Sequence, residues 1–159
     1  MKTVKIIGIF SISIFFTFSC NNNNINSKST NVLSALNYDK VVAYNYDGED
    51  GNEIIDDSGY LSKTVTRQAV LTKNQITNIN EFLCDKSTYG GNVAACFEPH
   101  LGIVYYKKNK VVCYISICLG CNLLVSSIKI PEASSGFSDV GASKIISLCQ
   151  ELKFGILTN

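Results

Sequence analysis

The chain has 159 residues, 14 basic and 13 acidic, for a formal net charge of +1. Lys2 and Lys5 sit in the leading segment, so residues 21–159 carry 12 basic against 13 acidic side chains, a net of −1. With Arg67 as its one arginine, the chain lacks the phosphate-neutralising footprint of a nucleic-acid binder, while the 139 residues after position 20 suit a single domain with one core.

Lys2 and Lys5 form a positive start, Ile6 to Phe18 is almost wholly apolar, and Ser19-Cys20 leads straight into Asn21–Asn24. Positive, apolar, small is the order of a secretory signal, and a run of 13 residues falls short of the ~20 that span a bilayer as a helix. A cysteine directly after the apolar run resembles the lipobox of bacterial lipoproteins. The resemblance implies that residues 1–19 are removed and that Cys20 carries diacylglycerol and a further acyl chain such as palmitate. Thr17 and Phe18 stand where lipoboxes usually carry Leu and a small residue; Thr17-x-Ser19 also fits an ordinary cleavage site, which leaves Cys20 free on a secreted protein. Asn21 to Asn37 is Asn- and Ser-rich and reads as a flexible tether. Asn21 is not the Asp that, in enteric lipoproteins, resembles an inner-membrane retention signal. The expected location is therefore the cell envelope, with the outer membrane favoured and a periplasmic or surface face left open.

The domain proper is expected over 38–159. Tyr38–Tyr46 is β-branched and apolar enough for a strand. Asp47 opens a turn-rich acidic loop through Gly59, and Tyr60–Leu71 reads as a second strand. Thr72-x-x-Gln75 has the form of a capping box, and Ile76, Ile79, Phe82 and Leu83 follow at helical spacing to about Cys84. Asp85–Pro99 is a loop. Leu101–Tyr106 and Lys110–Cys118 read as strands of one hairpin, turned at Lys107–Lys110 with Asn109 suited to a positive φ. Asn122–Ile130 reads as a further strand ended by Pro131. Ser138 has the character of an N-cap, and Val140, Ile145, Ile146, Leu148, Cys149 and Leu152 describe an apolar helical face stopped by Gly155. The order ββαβββα predicts an α+β fold: one antiparallel-rich sheet with two helices on one face.

Six cysteines follow Cys20, and an even number in an exported chain invites disulfides. If Tyr106 faces Val111, Pro99 lies opposite Cys118 and His100 opposite Ile117, with a slip of one residue open. Either register gathers Cys96, His100, Cys118 and Cys121 at one end of the hairpin. Three chemistries compete there. In a structural site, Cys96 bonds Cys118 or Cys121. In a metal site, three thiolates and one imidazole hold tetrahedral zinc or copper(I). In a redox site, Cys118-x-x-Cys121 exchanges disulfides, although such motifs normally open a helix. His100, the one histidine, reads equally well as an ordinary loop residue. As nucleophile and base it lacks a readable third group. Cys113 shares parity with Val111, Ile115 and Ile117 and is expected to be a buried thiol. Cys84 and Cys149 pair if the two helices lie side by side.

Ala95–Asn122, with Cys96-x-x-Pro99-His100, an apolar hairpin and Cys118-x-x-Cys121, resembles small Gram-negative lipoproteins of unknown function. The resemblance extends over about residues 38–154 and implies a shared fold and an envelope location, without an activity. The acidic stretch Asp47-x-Glu49 fails the EF-hand pattern at Gly51, Asn52 and Ser58 and reads as a solvated loop. No Gly-x-Ser-x-Gly elbow, phosphate-binding Gly-rich loop or His-Glu-x-x-His helix is present. The residues thus point to a non-enzymatic, lipid-anchored binding or structural module without a cofactor. Its partners would be the membrane and an envelope protein. The alternatives are a metal-binding lipoprotein and a thiol-disulfide redox protein.

Overall fold

A computed structural model describes residues 31–131, 133 and 135–155. The leading segment, Cys20 and the tether as far as residue 30 lie outside the described residues. In chain order the elements are β1 (Lys40–Asn45), β2 (Arg67–Val70), α1 (Lys73–Leu83), β3 (Tyr89–Gly91), β4 (Leu101–Lys107), β5 (Lys110–Cys118), β6 (Leu123–Ser126), β7 (Gly136–Phe137) and α2 (Asp139–Glu151). Five strands form one sheet in the order β2-β1-β4-β5-β6, and every neighbouring pair is antiparallel. The fold is α+β with both helices on one face of this sheet, as the periodicities predict. A second sheet of β3 and β7 is additional; it pairs Tyr89 with Phe137 and stacks their rings, 5.6 Å between centroids.

Local chemistry sets the helix boundaries. Thr72 Oγ1 accepts from the Gln75 amide while Gln75 Oε1 accepts from the Thr72 amide, a complete capping box. Ser138 Oγ accepts from Gly141 N, and Asp139 stands in the first turn, where its charge suits the helix dipole. Ile79, Phe82 and Leu83 of α1 and Ile145, Leu148 and Cys149 of α2 bury against Val41, Ala43, Ile103, Tyr105, Cys113 and Ile115 of the sheet. Asn80 brings a polar group into this core. Asn80 accepts from the Tyr105 hydroxyl at 2.6 Å and donates to Tyr38 Oη and Ser34 Oγ, so its burial leaves no bond unmade.

The packed domain begins before Tyr38. Leu33 is fully buried in the helix-face core, and Val32 and Leu36 pack against it. The tether expected through Asn37 therefore stops short of these residues, because three apolar side chains within five positions are enough to seat a turn on the core.

The opposite face of the sheet is also covered, by the acidic loop. Ile54 is fully buried and Ile55 nearly so, packed with Val42, Tyr44, Tyr46 and Val104. Gly102 makes this possible, since a Cβ there would overlap the Ile54 side chain. Ser116 of β5 then accepts from Ile54 N at 2.9 Å. The loop expected to be merely solvated is thus a lid with charged edges and an apolar underside. It also shortens the second strand: Ser62 N donates to Ile54 O and Thr64 hydrogen-bonds Asp47, so residues 61–64 pair with the loop and regular pairing with β1 is confined to Arg67–Val70.

The hairpin turn places Lys108 and Asn109 at φ 49° and 61°, the paired positive values of a tight two-residue turn. Tyr106 faces Val111 as expected, but Val112 is an extra, bulged residue, and from there Tyr105 faces Cys113 and Leu101 faces Ile117. The bulge moves Val111 to the face opposite Cys113, so the parity expected of those two residues is broken. Beyond β5, regular pairing ends at Ser126, and Ile130 enters the core outside any strand.

Candidate functional site

Cys118 closes β5, Cys121 follows a two-residue turn, and the two are joined by a disulfide with 5.5 Å between Cα atoms. That separation lies within ordinary disulfide reach. The Cys121 amide also donates to Cys118 Sγ at 3.1 Å. Both residues are buried. The loop carrying Cys96 does come to this end, since Ala94 N donates to Cys121 O at 3.0 Å. Cys96 itself is exposed and keeps its thiol. The Cys-x-x-Cys pair thus closes on itself, and the expected bond from Cys96 to Cys118 or Cys121 is not made.

His100 is held elsewhere. Its Nδ1 lies 3.2 Å from Tyr46 O and 3.9 Å from Asp47 Oδ1, and its carbonyl accepts from Asn45 Nδ2 and Tyr46 N. The imidazole therefore belongs to the exit of β1. Among the described residues no group of three or more His, Cys, Asp or Glu side chains is placed to hold a metal ion. With two of the four anticipated donors consumed as a disulfide, Cys96, His100, Cys118 and Cys121 do not form a tetrahedral set in this state.

The remaining cysteines behave as small hydrophobes. Cys84 and Cys149 both lie in the helix-face core, and no disulfide joins them. Burial pushes the Cys149 thiol up to about 11 and raises that of Cys113 as well, so both stay protonated at neutral pH and are poor nucleophiles.

Asn122 is the residue at this end that sequence reasoning missed. At φ 60° it turns the chain out of the disulfide loop, and its Nδ2 donates to Asn92 O at 2.9 Å and Phe137 O at 2.8 Å. It thereby ties the β5–β6 turn to the Cys96 loop and to β7. The one available signal was an Asn directly after Cys-x-x-Cys, a residue type that tolerates the left-handed conformation.

Two concave surfaces lie away from this end. A groove of about 750 Å³ runs between α1 and α2, floored by Ile79, Phe82 and Leu148 and edged by Glu81, Asp85 and Glu151. Hydrogen bonds from Ser87 hold the Asp85 carboxyl below its ordinary pKa. The other hollow, about 580 Å³, lies among the acidic side chains of the lid. There burial, helped by the nearby Asp57 charge, raises the Glu53 carboxyl.

Compared with known protein families, curated proteins and solved structures, the chain matches none.

Proposed function

We propose that the protein is an exported, lipid-anchored module of the bacterial cell envelope that acts by binding or by structure rather than by catalysis. The observation that carries this reading is the buried Cys118–Cys121 disulfide. Structural disulfides persist in oxidising compartments and are rare where thiols are kept reduced. The disulfide agrees with the order Lys2, Lys5, apolar run, Ser19-Cys20 at the start of the chain. In this reading the disulfide pins the hairpin end against which the Cys96 loop and β7 pack, and the inter-helix groove offers a concave surface for an envelope partner.

The test is labelled palmitate supplied to a Gram-negative host expressing the full chain. Label should enter the protein in the membrane fraction and vanish in Cys20→Ser. An unlabelled protein recovered from the cytoplasm would overturn the reading.

A further inference from the structure

Lysines gather at one end of the strands, while the far end carries the acidic lid together with Lys63 and Arg67. Lys107, Lys108 and Lys110 crowd the β4–β5 turn, and Lys40 at the start of β1 joins them, its Nζ donating to Asn109 Oδ1 at 3.4 Å and lying over the Tyr106 ring. Ser127 N donates to Tyr114 O, so the chain after β6 runs toward the same end and carries Lys129 there, exposed. Among the described residues the carboxylate beside them is Asp39, which accepts from the Lys108 amide. At the far end of β1, roughly 20 Å away at the rise of a strand, stand Asp47, Glu49, Asp50, Glu53, Asp56 and Asp57.

Two further features mark the basic end. Val111 and Val112, beside the turn, are 37% and 38% exposed, held outward by the bulge. The chain also enters the domain here. Asn31 donates to Asn80 O, Asn80 bonds Tyr105, and Asp39 N donates to Tyr106 O. Asn31 follows Cys20 by 11 residues, a stretch that reaches at most ~40 Å even fully extended. The described chain thus enters nearer the lysines than the acidic lid, and the preceding stretch is long enough to bring an anchored Cys20 beside them.

We propose that the lysine-rich tip of the β4–β5 hairpin docks on an anionic phospholipid surface, with Val111 and Val112 at the headgroup level, so that the lipid anchor and the basic tip together orient the domain with its acidic lid away from the membrane. The proposal rests on the lipid-anchor reading above. Its physics is that of a two-signal attachment: an acyl anchor supplies residence, and a basic cluster supplies attraction that falls off within a Debye length. Each lysine brought near an anionic surface strengthens attachment about fivefold.

The test uses the mature lipidated protein in proteoliposomes and reads lysine acylation by a water-soluble active ester, residue by residue. In vesicles of phosphatidylcholine with phosphatidylglycerol, Lys108 and Lys110 should label at least about fivefold more slowly than in phosphatidylcholine alone, with Lys63 beside the lid unchanged. Raising salt to about 0.5 M should remove the protection. In Lys107→Gln/Lys108→Gln/Lys110→Gln, whose changes lie on an exposed turn, protection of Lys129 should be lost. Equal labelling in both vesicles, or protection of Lys63 instead, overturns the proposal. Protection by soluble polyglutamate with none from anionic vesicles overturns it in favour of an acidic polypeptide. Retention on neutral vesicles reads the anchor separately, so failure of the anchor and failure of the docking are distinguishable.

Discussion

The two faces of the five-stranded sheet are buried by different means. The helix face is covered by α1 and α2, whose apolar residues recur every three or four positions, and it holds the larger core. The other face is covered by an irregular acidic segment that contributes Ile54 and Ile55 from between carboxylates. Helices bring a periodic stripe to the sheet, and the loop brings the adjacent pair Ile54 and Ile55. Burial on the loop face therefore rests on few side chains, with Ile54 fitted over Gly102, whereas on the helix face it is spread over many contacts.

That difference is open to mutation. Ile145→Ala, in the middle of the helix-face core, should lower stability by about 4 kcal/mol in denaturant unfolding, through lost transfer energy plus the cavity left behind. Ile54→Ala should cost about 3 kcal/mol by the same terms and should also speed proteolysis within residues 47–64, where Ile145→Ala leaves the lid seated. Gly102→Ala should cost about 2 kcal/mol by overpacking, and less in an Ile54→Ala background, where the overlaps with Cγ1 and Cδ1 are gone and the one with Cβ remains. Additive effects of the two changes would show that the Ile54–Gly102 fit is not what seats the lid. Replacing both cysteines of the hairpin end, Cys118→Ser with Cys121→Ser, should cost about 2 kcal/mol, near the low end for a disulfide because the loop it closes is so short.

Alkaline pH sharpens the comparison from the helix face. Cys149 has its thiol raised in the folded state from 9.0 to about 11, so between those values the native state holds a proton that the unfolded chain releases. Stability contributed by the neutral thiol is present below about pH 9 and is lost as pH rises toward 11. The loss is on the order of 2 kcal/mol, with Cys113 and the buried tyrosines acting in the same direction. Cys149→Ala should remove that part of the slope. The smallest effect is at the helix start, where Thr72→Ala should cost about 1 kcal/mol by removing one arm of the capping box.

What was readable in the sequence divides along the same line. The α1 and α2 boundaries followed from Thr72, Gln75 and Ser138, because capping is decided by residues a few positions apart. The hairpin turn and its Tyr106–Val111 pair were readable for the same reason. Features set by distant partners were not. The bulge at Val112 carries no local mark, and it altered every pairing beyond it. Ile54 looked like a loop residue because the glycine it covers lies 48 positions away at Gly102. Tyr89 and Phe137 pair across a similar distance in strands of three and two residues, too short to show alternation. At the candidate site, gathering Cys118 and Cys121 at one hairpin end was within reach of the sequence. The choice between self-closure and a bond to Cys96 depended on where the loop after Ala94 leaves the surface, and the tie of His100 to Tyr46 and Asp47 depended on β1 lying alongside β4.

The most direct measurement is the intact mass of the protein recovered from the envelope of a Gram-negative host without reduction, followed by a non-reducing peptide map. The expected result is a chain that begins at an acylated Cys20 and carries one internal bond, Cys118 to Cys121, with Cys96 open to alkylation. A chain that still begins at Met1, with Cys118 and Cys121 both alkylated, would contradict export, anchoring and the disulfide together.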